Sequence, residues 1–285
     1  MRSFSRLFIR LLIVVVLVQA TSACGVRLVY NHLDWLAMRW VNDQVTLYPA
    51  QELAFRDALE EKLEWHCSSE LPDYVPFIDS VRATLSRDQL NSTDLEQLGE
   101  RTGVFGRRLI NRFMPSVAEL FASFDDAQVE ELLLGIDERN QDFEEERILL
   151  AEKDRQQRQV ESMQKRLKRF IGRTTPAQDA RLAQWAESVK FVAPRLLVHQ
   201  RAWRDKFADI LAQRDQTETF EPALTELFQP ADDWPEDLAE TMEFNRQQTL
   251  QTMVDIHAML TPRQERRMIS RIESLRKDFE RLSCA

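Results

Sequence analysis

Leu260-Thr261-Pro262-Arg263-Gln264 carries the side chains that start a helix. A Thr ahead of the first turn accepts from the early backbone N–H groups, Pro suits the first helical position, and Gln reaches back to the cap N–H. The apolar residue before the cap can act as a staple. The pattern returns as Thr174-Thr175-Pro176-Ala177-Gln178, Phe124-Asp125-Asp126-Ala127-Gln128, Leu85-Ser86-Arg87-Asp88-Gln89 and Leu47-Tyr48-Pro49-Ala50-Gln51, the last with Tyr48 where a capping residue belongs. Repeated starts of this kind predict a chain built from helices.

Apolar spacing between the starts agrees. Leu33, Leu36, Ala37, Trp40 and Val41 recur at three-and-four spacing, with Trp35 and Arg39 off the stripe. Near a membrane anchor Trp35 and Arg39 suit the headgroup zone, but core is the preferred place for Trp35. Pro49 opens a helix to about Cys67, with Leu53, Leu59 and Leu63 on its buried face. Residues 68–76 read as a loop and 75–85 as a helix. Asn91 to Asp94 caps a further helix, in which Gly99, Gly103 and Gly106 permit a close helix approach or a local break. Pro115 reads as the restart of a short helix. From Asp125 a helical pattern extends almost to Gly172, with a break near 149–152 where the apolar face changes phase. Later helices fall at about 176–191, 194–214, 219–229, 235–260 and 262–283. The last carries Met268, Ile269, Ile272, Leu275, Phe279 and Leu282 in a near-heptad stripe.

Composition points the same way. The chain has 285 residues, 30% of them charged, and only six glycines. None of the glycines follows Gly172, although more than a hundred residues do. Sheet-rich folds and phosphate-cradling loops need glycine at positive φ. The expected class is all-α, a multi-helix bundle of antiparallel helical hairpins.

The N-terminus has its own logic. Arg2, Arg6 and Arg10 precede the apolar run Leu11–Val18, which is too short to cross a bilayer, and Thr21-Ser22-Ala23-Cys24 follows. This order predicts a cleaved signal peptide over 1–23 and a periplasmic helical domain over 24–285, divisible into two sub-bundles near 125–172. The exit resembles the lipobox of bacterial lipoproteins, with Thr21 where Leu is usual. That resemblance implies a diacylglyceryl group on Cys24, and Gly25, in place of an inner-membrane retention Asp, implies the periplasmic face of the outer membrane. Ordinary signal-peptidase cleavage is the alternative. Losing three arginines and no acids takes the formal charge from −9 to −12, which disfavours nucleic acid as a partner. With Cys24 assigned to lipid, Cys67 and Cys284 remain. An even pair in an oxidising compartment reads as a disulfide; the alternative is one buried thiol and one on a frayed tail.

Chemistry-bearing patterns are sparse. His32, His66, His199 and His257 are scattered with no metal-ligand spacing, so no metal or cofactor is expected. His257 shares an apolar face with Leu250, Met253 and Leu260 and reads as a core histidine. His66-Cys67 does not make a nucleophile and base, because adjacent side chains on one helix point apart. No nucleophile elbow or phosphate loop is present, and no catalytic residue is assigned. A carboxylate dyad has nothing to support it.

Two resemblances complete the sequence reading. The starts at 174–178 and 260–264 are similar to the Leu-Thr-x-x-Gln motif of Spy/CpxP-type periplasmic proteins, which hold unfolded clients. Tyr30-Asn31-x-Leu33-Asp34-Trp35, Trp40-Val41-x-Asp43, Pro49-Ala50-Gln51 and Thr175-Pro176-x-Gln178 with Trp185 resemble a Gram-negative family of helical lipoproteins of unknown function. They imply fold and location, and no activity. The expected function is protein binding at the cell envelope, chaperone-like toward unfolded clients. The alternatives are a structural adaptor for one envelope partner and, behind both, a hydrolase.

Overall fold

The structure is a computed structural model, and it describes residues 29–30, 32–229 and 234–282. The expected signal peptide over 1–23, Cys24 and Cys284 lie outside these residues. Among the described residues, eleven α-helices follow one another from Leu33: α1 (Leu33–Asn42), α2 (Pro49–Trp65), α3 (Leu71–Leu85), α4 (Ser92–Ala122), α5 (Asp126–Phe143), α6 (Glu152–Ile171), α7 (Pro176–Ser188), α8 (Ala193–Leu211), α9 (Thr217–Phe228), α10 (Glu236–Ala258) and α11 (Pro262–Glu280). Two π-helical turns, His66–Glu70 and Glu144–Ile148, continue α2 and α5. The all-α expectation holds: no strand occurs among the described residues. None of their helices is long and apolar enough to cross a membrane.

Several local expectations are corrected. Residues 68–76 are helical: Pro72 occupies the first turn of α3, where a missing N–H costs nothing, and Pro76 lies inside it. Pro115 does not restart a helix, because α4 runs through it. The start at 85–89 is no helix start. Asn91 caps α4 instead, accepting from the Asp94 N–H while Asp94 accepts from the Asn91 N–H, and Arg87 holds Asp94 at 2.6 Å. Trp35 is 55% exposed and Leu53 62% exposed, so neither is core. The Arg39 guanidinium lies over the Trp35 ring. Gly99 and Gly106 have nothing within 4 Å of a notional Cβ, so no neighbouring helix makes a close approach there. The break near 149–152 is present, with Ala151 capping α6. Gly172, at φ +83°, ends α6 in a conformation that favours glycine.

Two apolar cores form, and the chain crosses between them. The first gathers Val41 and Val45, Leu59 of α2, Met114 and Leu120 of α4, Leu132 and Ile136 of α5, and then Phe207, Leu211 and Leu224 from α8 and α9. The second gathers Ile171, Leu182, Ile256, Met268, Ile272 and Phe279, and takes Leu71 and Ile78 from α3 far earlier in the sequence. Thus α3 packs on α11 and α8 packs on α5, each lent by one half of the chain to the other.

Four of the five recurring starts explain this repetition. At Asp125, Thr175 and Thr261 the cap side chain accepts from the backbone N–H of the Gln three residues on, and that Gln accepts from the cap N–H. Tyr48 makes no side-chain cap bond. Only the Gln51 arm forms there, at 2.8 Å, and the Tyr48 hydroxyl donates instead to Asp125 at 2.7 Å. The four glutamines then pair. Gln51 and Gln128 exchange two side-chain amide bonds, at 3.0 and 2.7 Å; Gln178 and Gln264 do the same at 3.2 and 2.9 Å. Each second N–H reaches a carbonyl just before the partner helix: Ser123, Thr46, Met259 and Arg173 respectively. All four side chains are buried and fully satisfied. The register continues beyond the pairs, with Gln128, Leu132 and Ile136 of α5 matching Gln264, Met268 and Ile272 of α11, all buried.

Candidate functional site

The most distinctive concavity is an apolar cavity of about 580 Å³ in the first core. Its volume lies in the range of roughly 300–1,000 Å³ usual for small-molecule sites. The long helix α4 supplies one wall, from Ile110 through Phe113 and Val117 to Phe121, because its apolar residues fall on one face. Helix α5 supplies the opposite wall through Leu132, Ile136, Asn140 and Phe143. Trp203 and Phe207 of α8, with Phe228 of α9, close the third side as an aromatic cluster. Trp203 stacks on Phe207 at 5.2 Å, and Phe228 meets both edge-on. The Trp203 indole N–H donates to the Leu227 carbonyl at 3.2 Å, which fixes the ring. Ion pairs Arg204–Asp137 and Arg201–Glu144, each 2.7 Å, tie α8 to α5 and its π-turn.

Polar groups concentrate at one end. Arg139, Asn140, Asp142, Glu146 and Arg147 come from the last turns of α5 and the π-turn, and His199 and Gln200 face them from α8. Arg139 donates to the Gln44 side chain at 3.1 Å, and burial pulls its guanidinium down to about 10. Asn140 is only 8% exposed, and its side-chain Nδ2 is buried with no hydrogen-bond partner. Buried donors are normally paired, and an orphan costs about 1–3 kcal/mol. A π-turn at the same end adds irregular backbone of the kind common at functional sites.

A second polar cluster sits in the other core. His66 is buried, with Nδ1 3.0 Å from the Tyr30 hydroxyl and Nε2 3.1 Å from the Tyr74 hydroxyl. A neutral ring needs one of these hydroxyls to donate and the other to accept. Burial drives the imidazole down to about 4 and the Tyr30 phenol up to about 12. The arrangement fills both nitrogens and leaves no imidazole nitrogen for chemistry.

Of the sequence-assigned residues, Cys67 is buried in the second core, and Leu282, two residues before Cys284, belongs to the same cluster. Cys24 and Cys284 themselves fall outside the described residues. His257 is half-buried and bonds the Leu85 carbonyl at 2.9 Å, as a satisfied core histidine should. The four histidines do not converge, and no group of three or more metal-ligating side chains occurs among the described residues. Sequence reasoning missed the cavity. Its signal was Asn140, a polar residue continuing the buried stripe of Gln128, Leu132 and Ile136.

A model of a family of unknown function (DUF6279) matches residues 43–239, more than half of the chain. The chain belongs to this family. The matched stretch includes both walls of the cavity, the Gln51–Gln128 pair and Gln178. No characterised protein and no solved structure matches.

Proposed function

We propose that this DUF6279 protein is a non-catalytic binding protein of the cell envelope, held at the outer membrane by lipid on Cys24, and that the first-core cavity is its binding site. The observation that carries the reading is the cavity itself: a large apolar volume, walled by fixed aromatic rings, with polar groups confined to one end. Hydrolysis would call for a nucleophile or a close carboxylate pair, and the cavity's acids, Asp142 and Glu146, share its polar end with Arg139 and Arg147. Cys67 and Cys284 form a disulfide in this reading, supported by the burial of Cys67 beside Leu282. The bridge would pin the end of α11 under α2.

The test is saturable binding of an environment-sensitive apolar dye to the full chain, with Val117→Trp to fill the cavity. Stoichiometric dye binding that Val117→Trp abolishes, with helicity unchanged, supports the site. Dye binding that is non-saturable or indifferent to the substitution refutes it.

A second reading keeps a polypeptide client. It is favoured by apolar side chains left exposed on α5 and α8, Leu134 at 55% and Val198 at 69%, and by the similarity of the helix starts to Spy/CpxP-type proteins. Suppression of client aggregation at stoichiometric ratios, lost in Leu134→Ser/Val198→Ser, would support it. No suppression by the intact chain would exclude it.

A further inference from the structure

Building on the cavity reading above, we infer that the ligand is a free long-chain fatty acid, with its hydrocarbon chain along the seam between α4 and α5 and its carboxyl group at Asn140. Shape is the first argument. Lining residues run from Leu132 to Phe143 on α5 and from Ile110 to Phe121 on α4, a seam of about 16 Å at 1.5 Å per residue. A slot that follows two helix axes accepts a linear chain better than a compact ring system, and a sixteen-carbon chain, longer than the seam when extended, bends within the cavity of about 580 Å³.

Polarity along the slot is the second. The end nearest the α4–α5 connection is apolar, lined by Leu120, Phe121, Phe124, Leu132 and Phe207. The other end carries every charged residue of the lining. The occupant is therefore amphiphilic, with its head at the α5 C-terminal end.

The head chemistry follows from the donor left over. Asn140 Nδ2 is buried without a partner, and an acceptor oxygen on a ligand would satisfy it. Arg139, whose guanidinium donates to Gln44, adds positive charge to the same end. Asp142 and Glu146 offset Arg139 and Arg147, so this end has no large surplus of positive charge. That balance disfavours a bulky phosphate head and admits a single carboxyl group.

Displacement of a fluorescent polyene fatty acid from the delipidated full chain tests the assignment. Palmitate should displace the probe with one-to-one stoichiometry. Hexadecanol, with the same chain and no carboxyl group, should bind about tenfold more weakly, near the upper end of what a single hydrogen bond contributes. From decanoate to myristate, affinity should rise about fourfold per methylene. Asn140→Leu should lower palmitate affinity about tenfold and hexadecanol affinity by less, because a neutral hydroxyl accepts more weakly than a carboxylate, so the palmitate-to-hexadecanol ratio falls. If Asn140→Leu unfolds, Asn140→Asp serves instead, setting a carboxylate against the ligand's own while keeping hexadecanol. Hexadecanol binding as tightly as palmitate, or an unchanged palmitate-to-hexadecanol ratio in a folded Asn140 variant, overturns the carboxyl assignment while the apolar site stands. A lysophospholipid that outcompetes palmitate also overturns it, in favour of a membrane-lipid source. Failure of every alkyl compound to displace the probe would remove the cavity reading itself.

Discussion

Replacing Gln178 by Leu should destabilise the protein by about 3 kcal/mol, and the size can be worked from its four bonds. Gln178 is 0% exposed. Its Oε1 accepts from the Thr175 N–H and from Gln264 Nε2, both at 2.9 Å, and its Nε2 donates to the Met259 carbonyl and to Gln264 Oε1, both at 3.2 Å. In Gln178→Leu the Thr175 N–H and one Gln264 N–H lose their acceptors inside the protein. Two orphaned donors at about 1–3 kcal/mol each, less about 1–2 kcal/mol returned by burying leucine, leave a net loss near 3 kcal/mol. Gln264→Leu should cost a similar amount.

The pair makes a sharper prediction than either single change. In Gln178→Leu/Gln264→Leu the orphaned Gln264 amide is gone, so the double variant should be about 2 kcal/mol more stable than the sum of the singles implies. Gln128→Leu with Gln178→Leu joins the two separate pairs and should be additive within about 0.5 kcal/mol. Urea unfolding followed by far-UV circular dichroism supplies all the values. Additivity within the Gln178–Gln264 pair would refute the claim that the paired amides act as one unit.

Three further outcomes follow from other parts of the molecule. His66 is held near 4 by burial, below its ordinary 6.5, so the unfolded chain binds the extra proton first as pH falls. Stability should drop by about 3 kcal/mol between pH 6.5 and 4 and level off below, and His66→Gln should flatten that part of the profile; a parallel profile in the variant would count against it. Reductant should lower the melting temperature of the intact chain and leave Cys284→Ser unaffected, since closing the Cys67–Cys284 loop is worth up to about 5 kcal/mol in the chain-entropy model; equal responses would rule out the bridge. Leu182→Ala, at a fully buried position, should cost about 2–5 kcal/mol, whereas Leu53→Ser, on the surface, should stay within about 0.5 kcal/mol in equilibrium unfolding.

Helices were readable because capping is local. Thr261 and Gln264 interact within one turn, so five residues contain both partners of the bond. Pairing of Gln178 with Gln264 is a tertiary event between residues far apart in sequence, and capping alone gives no hint of it. The start at 85–89 has a capping residue, Ser86, with Gln89 three residues on, yet Asp94, held by Arg87, competes successfully and moves the helix start to Ser92. Prolines misled for a related reason. Pro72 in the first turn of α3 needs no hydrogen bond, and sequence alone did not show that Pro115 would be tolerated within α4. The cavity was hidden because Phe113, Val117 and Ile136 have the same spacing whether they meet other side chains or a ligand.

The repeated frame sharpens what is unusual about Asn140. Following the Gln128–Gln264 register along α5 and α11, Leu132 corresponds to Met268, Ile136 to Ile272, and Asn140 to Arg276. In the second core that position is satisfied: Arg276 bonds Asp79 at 2.8 Å, and Asp79 lies on α3, the helix lent by the first half. In the first core the lent helix is α8, and it brings His199, Gln200 and Trp203 to the cavity. Asn140 Nδ2 remains unpaired there. Two related frames thus place a polar side chain at the same register, and only one supplies it with a partner from the protein. An orphaned donor that costs stability, set in a seam long enough for a hydrocarbon chain, is what a site built for an acceptor-bearing lipid requires. Asn140→Leu should accordingly be neutral or stabilising in the ligand-free chain while weakening palmitate binding. A loss of stability in the free protein would show that Asn140 serves the fold, and the argument from the two cores would fail.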